Sequence, residues 1–378
     1  MWGAEGQFSE YKRPRPTQIS CRRHKERAAQ SQSESVLGCH SRASRLRSDV
    51  LKENSSEEDM FPFNELTENP RRGRRSPSSP RPAYVQPWMS PPSQLMDQPW
   101  REQTFSRLDR NFLLDDLQNY DTQTRTVTEP RILLVGQTGA GKSSFFNSLN
   151  SIFRDHVTMQ ALCGYGDINV SKKFRTYSVS LGAGGRKLPY ILCDTMGLER
   201  SGFEEGIKVE DIISVIKGHV SDMYEFNPRA AINCHDPHYI RSPSVKDKMH
   251  CVVFVVDANK IVNLPKFQLL KKFKEIKSEV NSLGIPLLVL VTKIDKACME
   301  VQKDLTKVYS SRYLHEKVTQ LGQMLGVPVS SISLVKNYAT ETELNFSMDL
   351  LILKALQQML RAIDVYFEET NVRRTTLW

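Results

Sequence analysis

An apolar run, Ile132, Leu133, Leu134 and Val135, delivers Gly136-x4-Gly141-Lys142-Ser143 straight into a helical pattern, and this constrains the chain's fold more than any other feature. Four consecutive apolar residues are what a strand buried on both faces of a parallel sheet requires. Phe145, Phe146, Leu149, Ile152 and Phe153 then recur at helical spacing. Between strand and helix, Gly136, Gln137, Thr138, Gly139, Ala140, Gly141, Lys142, Ser143 and Ser144 read as a phosphate-binding loop. The glycines let consecutive N–H groups turn toward phosphate, Lys142 reaches the β and γ phosphates, and the Ser143 hydroxyl ligates Mg²⁺. The start of the following helix adds its positive end. A Gly-rich turn that merely packs a helix on a strand is the bland alternative, and the order strand, loop, helix argues against it.

Two further motifs follow strands of the same kind. Asp194-Thr195-Met196-Gly197 comes directly after the Tyr190–Cys193 run, at a strand's C-terminal end, where open α/β sheets bind ligands. Asp194 is placed to hold Mg²⁺ through water, and the Gly197 N–H to meet a γ-phosphate and lose it on hydrolysis. After the Leu287–Val291 run stands Thr292-Lys293-Ile294-Asp295. The Asp295 carboxylate can accept from guanine N1–H and its 2-amino group, a donor pair that adenine lacks, while the Lys293 stem packs on the base. The cofactors expected are therefore GTP or GDP with Mg²⁺.

The rest of the chain supplies the architecture. Phe174–Leu181 alternates as a half-exposed strand, Gly184-Gly185 makes a turn, and Pro189–Cys193 returns, so one antiparallel edge is expected on a parallel sheet. Cys251–Val256 and Leu287–Val291 are buried-strand runs separated by a helix bearing Leu269, Phe273, Ile276, Val280 and Leu283. Residues 331–335 form a last strand before a helix bearing Ile352, Leu356, Met359, Ile363 and Tyr366. The expectation is an α/β fold, a P-loop GTPase-like, mostly parallel sheet with helices on both faces. Phe105, Leu108, Phe112, Leu113 and Leu117 predict a short amphipathic helix packed on the main sheet. Glu199 to His250 is too long for a plain connection; Val209–Val220 reads as a helix within it, and the remainder as an effector or self-association surface, or else a solvated insertion.

Composition sets the boundaries. The first hundred residues hold 11 of the 19 prolines and no sustained periodicity, so residues 1–99 are expected to be a disordered tail. Residues 100–127 then form a helix and linker, 128–370 the P-loop GTPase-like domain, and 371–378 a flexible C-terminus. Of the formal charge of +9, the first hundred residues carry +4 (16 basic, 12 acidic) and the remainder +5 (36 basic, 31 acidic). Neither part is strongly basic, and Arg71, Arg72, Arg74 and Arg75 read as a solvated tail, with nucleic acid binding as the disfavoured alternative. Seven cysteines without C-x-x-C spacing fit a reducing compartment. Cys234, His235 and His238 lie close together, but a zinc site would need further ligands. No run approaches the ~20 apolar residues of a membrane-spanning helix, and no secretory or lipidation signal is evident. A cytoplasmic protein is expected.

The run FFNSLNSIFRDHV, the strand FRTYSVSL, and the stretches LPYILCDTMGLE, FNPRAAINCHDPHYIRSPSVKDKMHCVVFVVDA and SSISLVKNYATETEL resemble the interferon-induced protein 44 and 44-like family over roughly Trp100 to Glu369. That resemblance implies a GTPase-like domain, GTP binding, interferon induction in antiviral innate immunity and a mainly cytoplasmic location. It places the phosphate loop at Gly136 to Ser143 and the switch-type pair at Asp194 and Gly197. TKID here is intact, whereas family members can degrade the base-reading motif.

Catalysis is less well provided for. A Gln that orients water follows the DxxG glycine in Ras-like enzymes, and this chain has Leu198 there, which cannot do that. Thr138 replaces a common loop glycine, and no internal Arg finger is evident. Only Ser171 or Thr176 is available to close over Mg²⁺. After the last strand, Val335-Lys336-Asn337-Tyr338 replaces a Ser-Ala-Lys-like loop, with Asn337 or the Lys336 backbone placed to cover the base. A GTP-binding switch or slow GTPase acting through a protein partner or self-association is the leading expectation. Its alternatives are a non-catalytic interaction scaffold and, disfavoured by TKID, an ATP-dependent phosphotransferase.

Overall fold

In the computed structural model, which describes residues 94–122, 124, 126–161, 172–182, 185–198, 206–266 and 268–375, the apolar run becomes β1 (Arg131–Gly136), five of its six residues buried. The hairpin follows as β2 (Arg175–Ser180) and β3 (Lys187–Asp194), then β4 (Cys251–Asp257), β5 (Leu287–Thr292) and β6 (Ile332–Leu334). The sheet order is β2-β3-β1-β4-β5-β6. Every pairing is parallel except β2 with β3, which is antiparallel. All seven residues of β4 are buried, which demands cover on both faces of the sheet.

That cover is helical: α1 (Arg107–Gln118), α2 (Lys142–Arg154), α3 (Val209–Ile216), α4 (Leu269–Ser282), the short α5 (Ile294–Ala297) and α6 (Met299–Lys303), α7 (Arg312–Leu325) and α8 (Phe346–Thr375). Helices α1 and α2 pack on α8, while α3 and α7 pack on α4. The stripe Leu269, Phe273, Ile276 and Val280 of α4 is fully buried, and Phe273 lies against Phe254 of β4 with ring centroids 4.3 Å apart. Helix α7, which no motif marks, is bounded by ordinary signals. Ser311 Oγ accepts from the Leu314 N–H at its start, and Gly326 ends it at φ 63°.

Three expectations need correcting. Helix α1 packs on α8 rather than on the sheet, through buried Leu113 and Leu117. Leu108 and Phe112 are 81% and 67% exposed. Phe112 and Leu113 are consecutive, so about 100° of helical turn separates the two ridges, and only one meets α8. Second, the helix expected over 209–220 stops at Ile216. Gly218 follows at φ 84°, where an added Cβ would lie 2.8 Å from the Asp247 carbonyl carbon.

Third, residues 94–99, assigned to the tail, hold backbone pairings with the domain. Met96 N donates to Ser310 O at 2.7 Å and Arg312 N to Gln94 O at 3.0 Å. At the other terminus α8 runs on to Thr375, into the stretch expected to be flexible. The remainder of the expected tail, Gly184 of the turn, and Ser171 lie outside the described residues.

Candidate functional site

Because β1, β3, β4, β5 and β6 run parallel, their C-terminal ends open on one edge, and the three motifs meet there. The phosphate loop leaves β1 at Gly136, whose position tolerates no side chain, since a Cβ would stand 2.1 Å from Val255 O. Gly139 and Gly141 turn the loop at φ 72° and 96°, conformations that cost any other residue strain. A Cβ at Gly139 would meet nothing within 4 Å, so the loop is open on that side.

Lys142 is buried, and its ammonium donates to Gly136 O at 3.1 Å and Gln137 O at 3.0 Å. Burial lowers its pKa, with Asp194 pulling the other way. The Ser143 hydroxyl donates to Asp194 Oδ2 at 2.5 Å, which joins the phosphate loop to the end of β3. This hydroxyl and carboxylate make a hard-oxygen pair of the kind Mg²⁺ takes. Gly197 lies against the loop so closely that a Cβ would fall 2.1 Å from Thr138 Oγ1 and 2.5 Å from Thr138 N. Leu198 is wholly buried; its N–H donates to Gly136 O at 3.1 Å, and its carbonyl accepts from Lys272 Nζ at 2.8 Å. Thr176 sits in β2 beside Cys193, its N–H bonded to Asp222 Oδ1 at 2.7 Å.

The sequence Thr292-Lys293-Ile294-Asp295 starts on the last residue of β5. Thr292 faces the phosphate loop, donating from Oγ1 to Ala140 O at 2.6 Å. Lys293 takes the left-handed φ of 57° and pairs with Asp257 Oδ2 at 2.8 Å. Asp295 lies 4.0 Å from Lys336 Nζ, which also meets Glu341 Oε1 at 2.9 Å. Asn337 Nδ2 donates to Gly141 O at 3.1 Å, while its Oδ1 is buried with no hydrogen-bond partner among the described residues.

Sequence reading missed Asp257 and Glu341. Asp257 could have been noticed as the carboxylate that ends a wholly apolar strand at the motif edge. Glu341 has no such signal. Burial raises its pKa, but the N–H groups of Ala339 and Thr340 and the Lys336 ammonium outweigh that and bring it to about 2. It therefore stays ionised and folds the 336–341 turn around itself.

The sheet order, the lone antiparallel edge and three motif loops at the ends of β1, β3 and β5 define a P-loop GTPase-like α/β domain. No protein-family model matches the chain. Individual relatives do: human interferon-induced protein 44-like is 43% identical over 271 residues, covering 71% of this chain and 59% of that protein. Human interferon-induced protein 44 is 41% identical over 260 residues (69% and 58%), and the mouse protein of that name 35% identical over 262 (69% and 61%). The chain is a relative of the interferon-induced protein 44 and 44-like family, and it spans about three fifths of the length of those proteins. A solved probable GTP-binding protein, engB, overlaps 62% of the chain and 98% of its own at 15% identity and a TM-score of 0.33. The fold assignment rests on strand order and motif placement, not on that overlap.

Proposed function

We propose that this chain binds GTP and GDP with Mg²⁺, hydrolyses GTP slowly, and serves as a nucleotide-dependent switch in an interferon-linked antiviral response in the cytoplasm. The observation that carries the reading is the convergence of Lys142, the Ser143–Asp194 pair and the Asp295 turn on one sheet edge. Lys142 and the N–H groups of residues 139–144 would hold the phosphates, and Ser143 and Asp194 the metal. Bound Mg²⁺ neutralises charge on the β and γ oxygens. On phosphate binding Lys142 would exchange its two carbonyl partners for phosphate oxygens. Asp295 would select guanine, with Lys293 and the 336–337 turn beside it.

The switch and the slow rate follow from the same loop. Gly197 touches Thr138, so a ligand that shifts the phosphate loop also shifts residues 194–198. Those residues lead on through Ile207, whose N–H donates to Gly197 O at 3.2 Å, toward α3. Leu198 is apolar and buried, and it offers nothing to orient a water molecule. The interferon linkage is supported by the names of the relatives, interferon-induced protein 44 and 44-like; the antiviral role and the cytoplasmic location are part of the proposal. Three buried free thiols, Cys193, Cys251 and Cys298, fit a reducing compartment, and no described helix is long and apolar enough to cross a membrane.

The test is a titration with fluorescent GDP in Mg²⁺, competed with unlabelled ATP and repeated with Asp295→Asn. The expected result is micromolar or tighter binding that ATP does not displace and that Asp295→Asn weakens. Absence of binding would leave a non-catalytic interaction scaffold as the better account.

A further inference from the structure

The unit formed by β6, the 335–345 turn and α8 is held at both ends by arginines from one short stretch of chain. Arg101 donates from its two terminal nitrogens to Ile332 O at 2.9 Å and Val329 O at 2.7 Å, at the start of β6. Its guanidinium also lies 5.0 Å from the Trp100 ring centroid and 5.1 Å from that of Tyr309. Nine residues later, Arg110 Nε donates to Asp349 Oδ2 at 2.7 Å, in the first turn of α8. Asp349 is 1% exposed.

The other oxygen of that carboxylate faces the turn. Tyr338 Oη donates to Asp349 Oδ1 at 2.6 Å and accepts from the Asn345 N–H at 2.6 Å. The Tyr338 N–H donates to Ser148 Oγ at 2.9 Å on α2, and the neighbouring Asn337 donates to Gly141 O. A continuous chain of contacts thus runs from α1 through Asp349 and Tyr338 to the phosphate loop. Burying a carboxylate is costly unless both oxygens are satisfied, so Arg110 and Tyr338 depend on each other through Asp349. Arg101, Arg110, Tyr338 and Asp349 carry no chemistry of their own toward a ligand. Their common effect is to fix where residues 336–341 stand beside Asp295.

We infer that residues 94–118 form a positioning strap for the base-closing turn, with Arg101, Arg110 and Tyr338 as its positioning residues. The inference rests on the guanine-site reading above. The strap tightens binding of a nucleoside diphosphate through its base, and it leaves the phosphate contacts unchanged. It also makes the chain preceding the domain a place from which guanine affinity can be altered.

The experiment compares the full chain with Tyr338→Phe and Arg110→Gln. It measures GDP and inorganic pyrophosphate affinities in Mg²⁺ and, without ligand, amide exchange over residues 336–341. Loss of a hydrogen bond to a buried charge predicts a GDP Kd raised about tenfold. Pyrophosphate affinity should stay unchanged, exchange over 336–341 should quicken, and Arg110→Lys should restore most of the GDP affinity. If GDP and pyrophosphate weaken together, or if neither the GDP Kd nor exchange changes, the strap is merely structural and the inference is overturned. If the parent chain binds pyrophosphate but not GDP, the guanine reading itself fails and takes the inference with it. Should a variant not fold, Arg101→Lys, which keeps the charge and loses the two-pronged contact, carries the same comparison.

Discussion

The two ends of the candidate site are built in different ways. The phosphate end is made mostly of neighbours in sequence: glycines set the loop and Lys142 folds back on carbonyls five and six residues earlier, while Ser143 reaches 51 residues on to Asp194. The base end is assembled from far apart. Thr292 reaches 152 residues back to Ala140, Asn337 reaches 196 back to Gly141, and the turn that carries Asn337 depends on Asp349 and Arg110. The phosphate end should therefore fail through its own residues, and the base end through distant supports.

The largest effect separates binding from folding. Lys142→Ala should weaken GDP and pyrophosphate alike, by about 100- to 1,000-fold, because both are held through phosphate. Unliganded stability should change little, since the relief of a buried cation's desolvation offsets the two carbonyl hydrogen bonds and the attraction to Asp194 that the variant loses. Equilibrium dialysis and a melting curve read the two quantities. Unchanged pyrophosphate binding would remove Lys142 from the site.

Next is the region that couples the switch loop to the rest of the domain. Asp211 on α3 is buried, with Oδ1 accepting from the Ile232 N–H at 2.7 Å and Oδ2 without a hydrogen-bond partner among the described residues. Burial raises its pKa from 3.8 to about 6, against the Ile232 N–H. A raised folded pKa gives stability that is full below pH 4 and lost as pH rises through 6. Asp211→Asn should therefore gain on the parent across that window, by at most about 3 kcal/mol from the size of the shift. His250, buried and lowered to about 4, acts with the opposite sign, losing stability as pH falls below its ordinary value. The difference between variant and parent in urea melts, not the parent's curve alone, is the quantity to follow. A constant difference from pH 4 to 7 would show that Asp211 does not titrate there.

Thr292→Val sharpens the contrast between the ends. It keeps the shape of the side chain and leaves Ala140 O without its Oγ1 donor, at a cost of about 2 kcal/mol in denaturant. Loss of this tether should also quicken GDP release. The smallest effect is expected on α1: Phe112→Ser should change stability by less than about 0.5 kcal/mol, as for an exposed position, whereas Leu117→Ala should cost about 2–5 kcal/mol. Equal costs at both positions would mean that α1 is packed on both ridges.

What could be read in advance follows the same division. The strands β1, β3, β4 and β5 and the helices α2 and α4 announce themselves because each buries a continuous or 3.6-periodic apolar set, and the loop chemistry is local. The turn beside Asp295 does not, because Tyr338, Asp349 and Arg110 owe their roles to partners 11 and 239 residues away. At α1 periodicity marked the helix but not its buried face, because apolar residues occupy two ridges and the packing of α8 decides which is covered. The segment from 94 to 101 carried no strand or helix signal. It is held by backbone pairing, by Arg101 and by the single ring of Trp100 against Tyr309 and His315, none of which leaves a periodic pattern.

The most direct measurement is calorimetric titration of the full chain with GDP, ADP and pyrophosphate in Mg²⁺. Separate phosphate and base ends predict that pyrophosphate binds weakly and that GDP binds much more tightly. ADP should bind at least about 100-fold less tightly than GDP, since the half-buried Asp295 carboxylate would meet no donor pair on adenine. Equal affinity for ADP and GDP, or no heat from any of the three, would contradict the account.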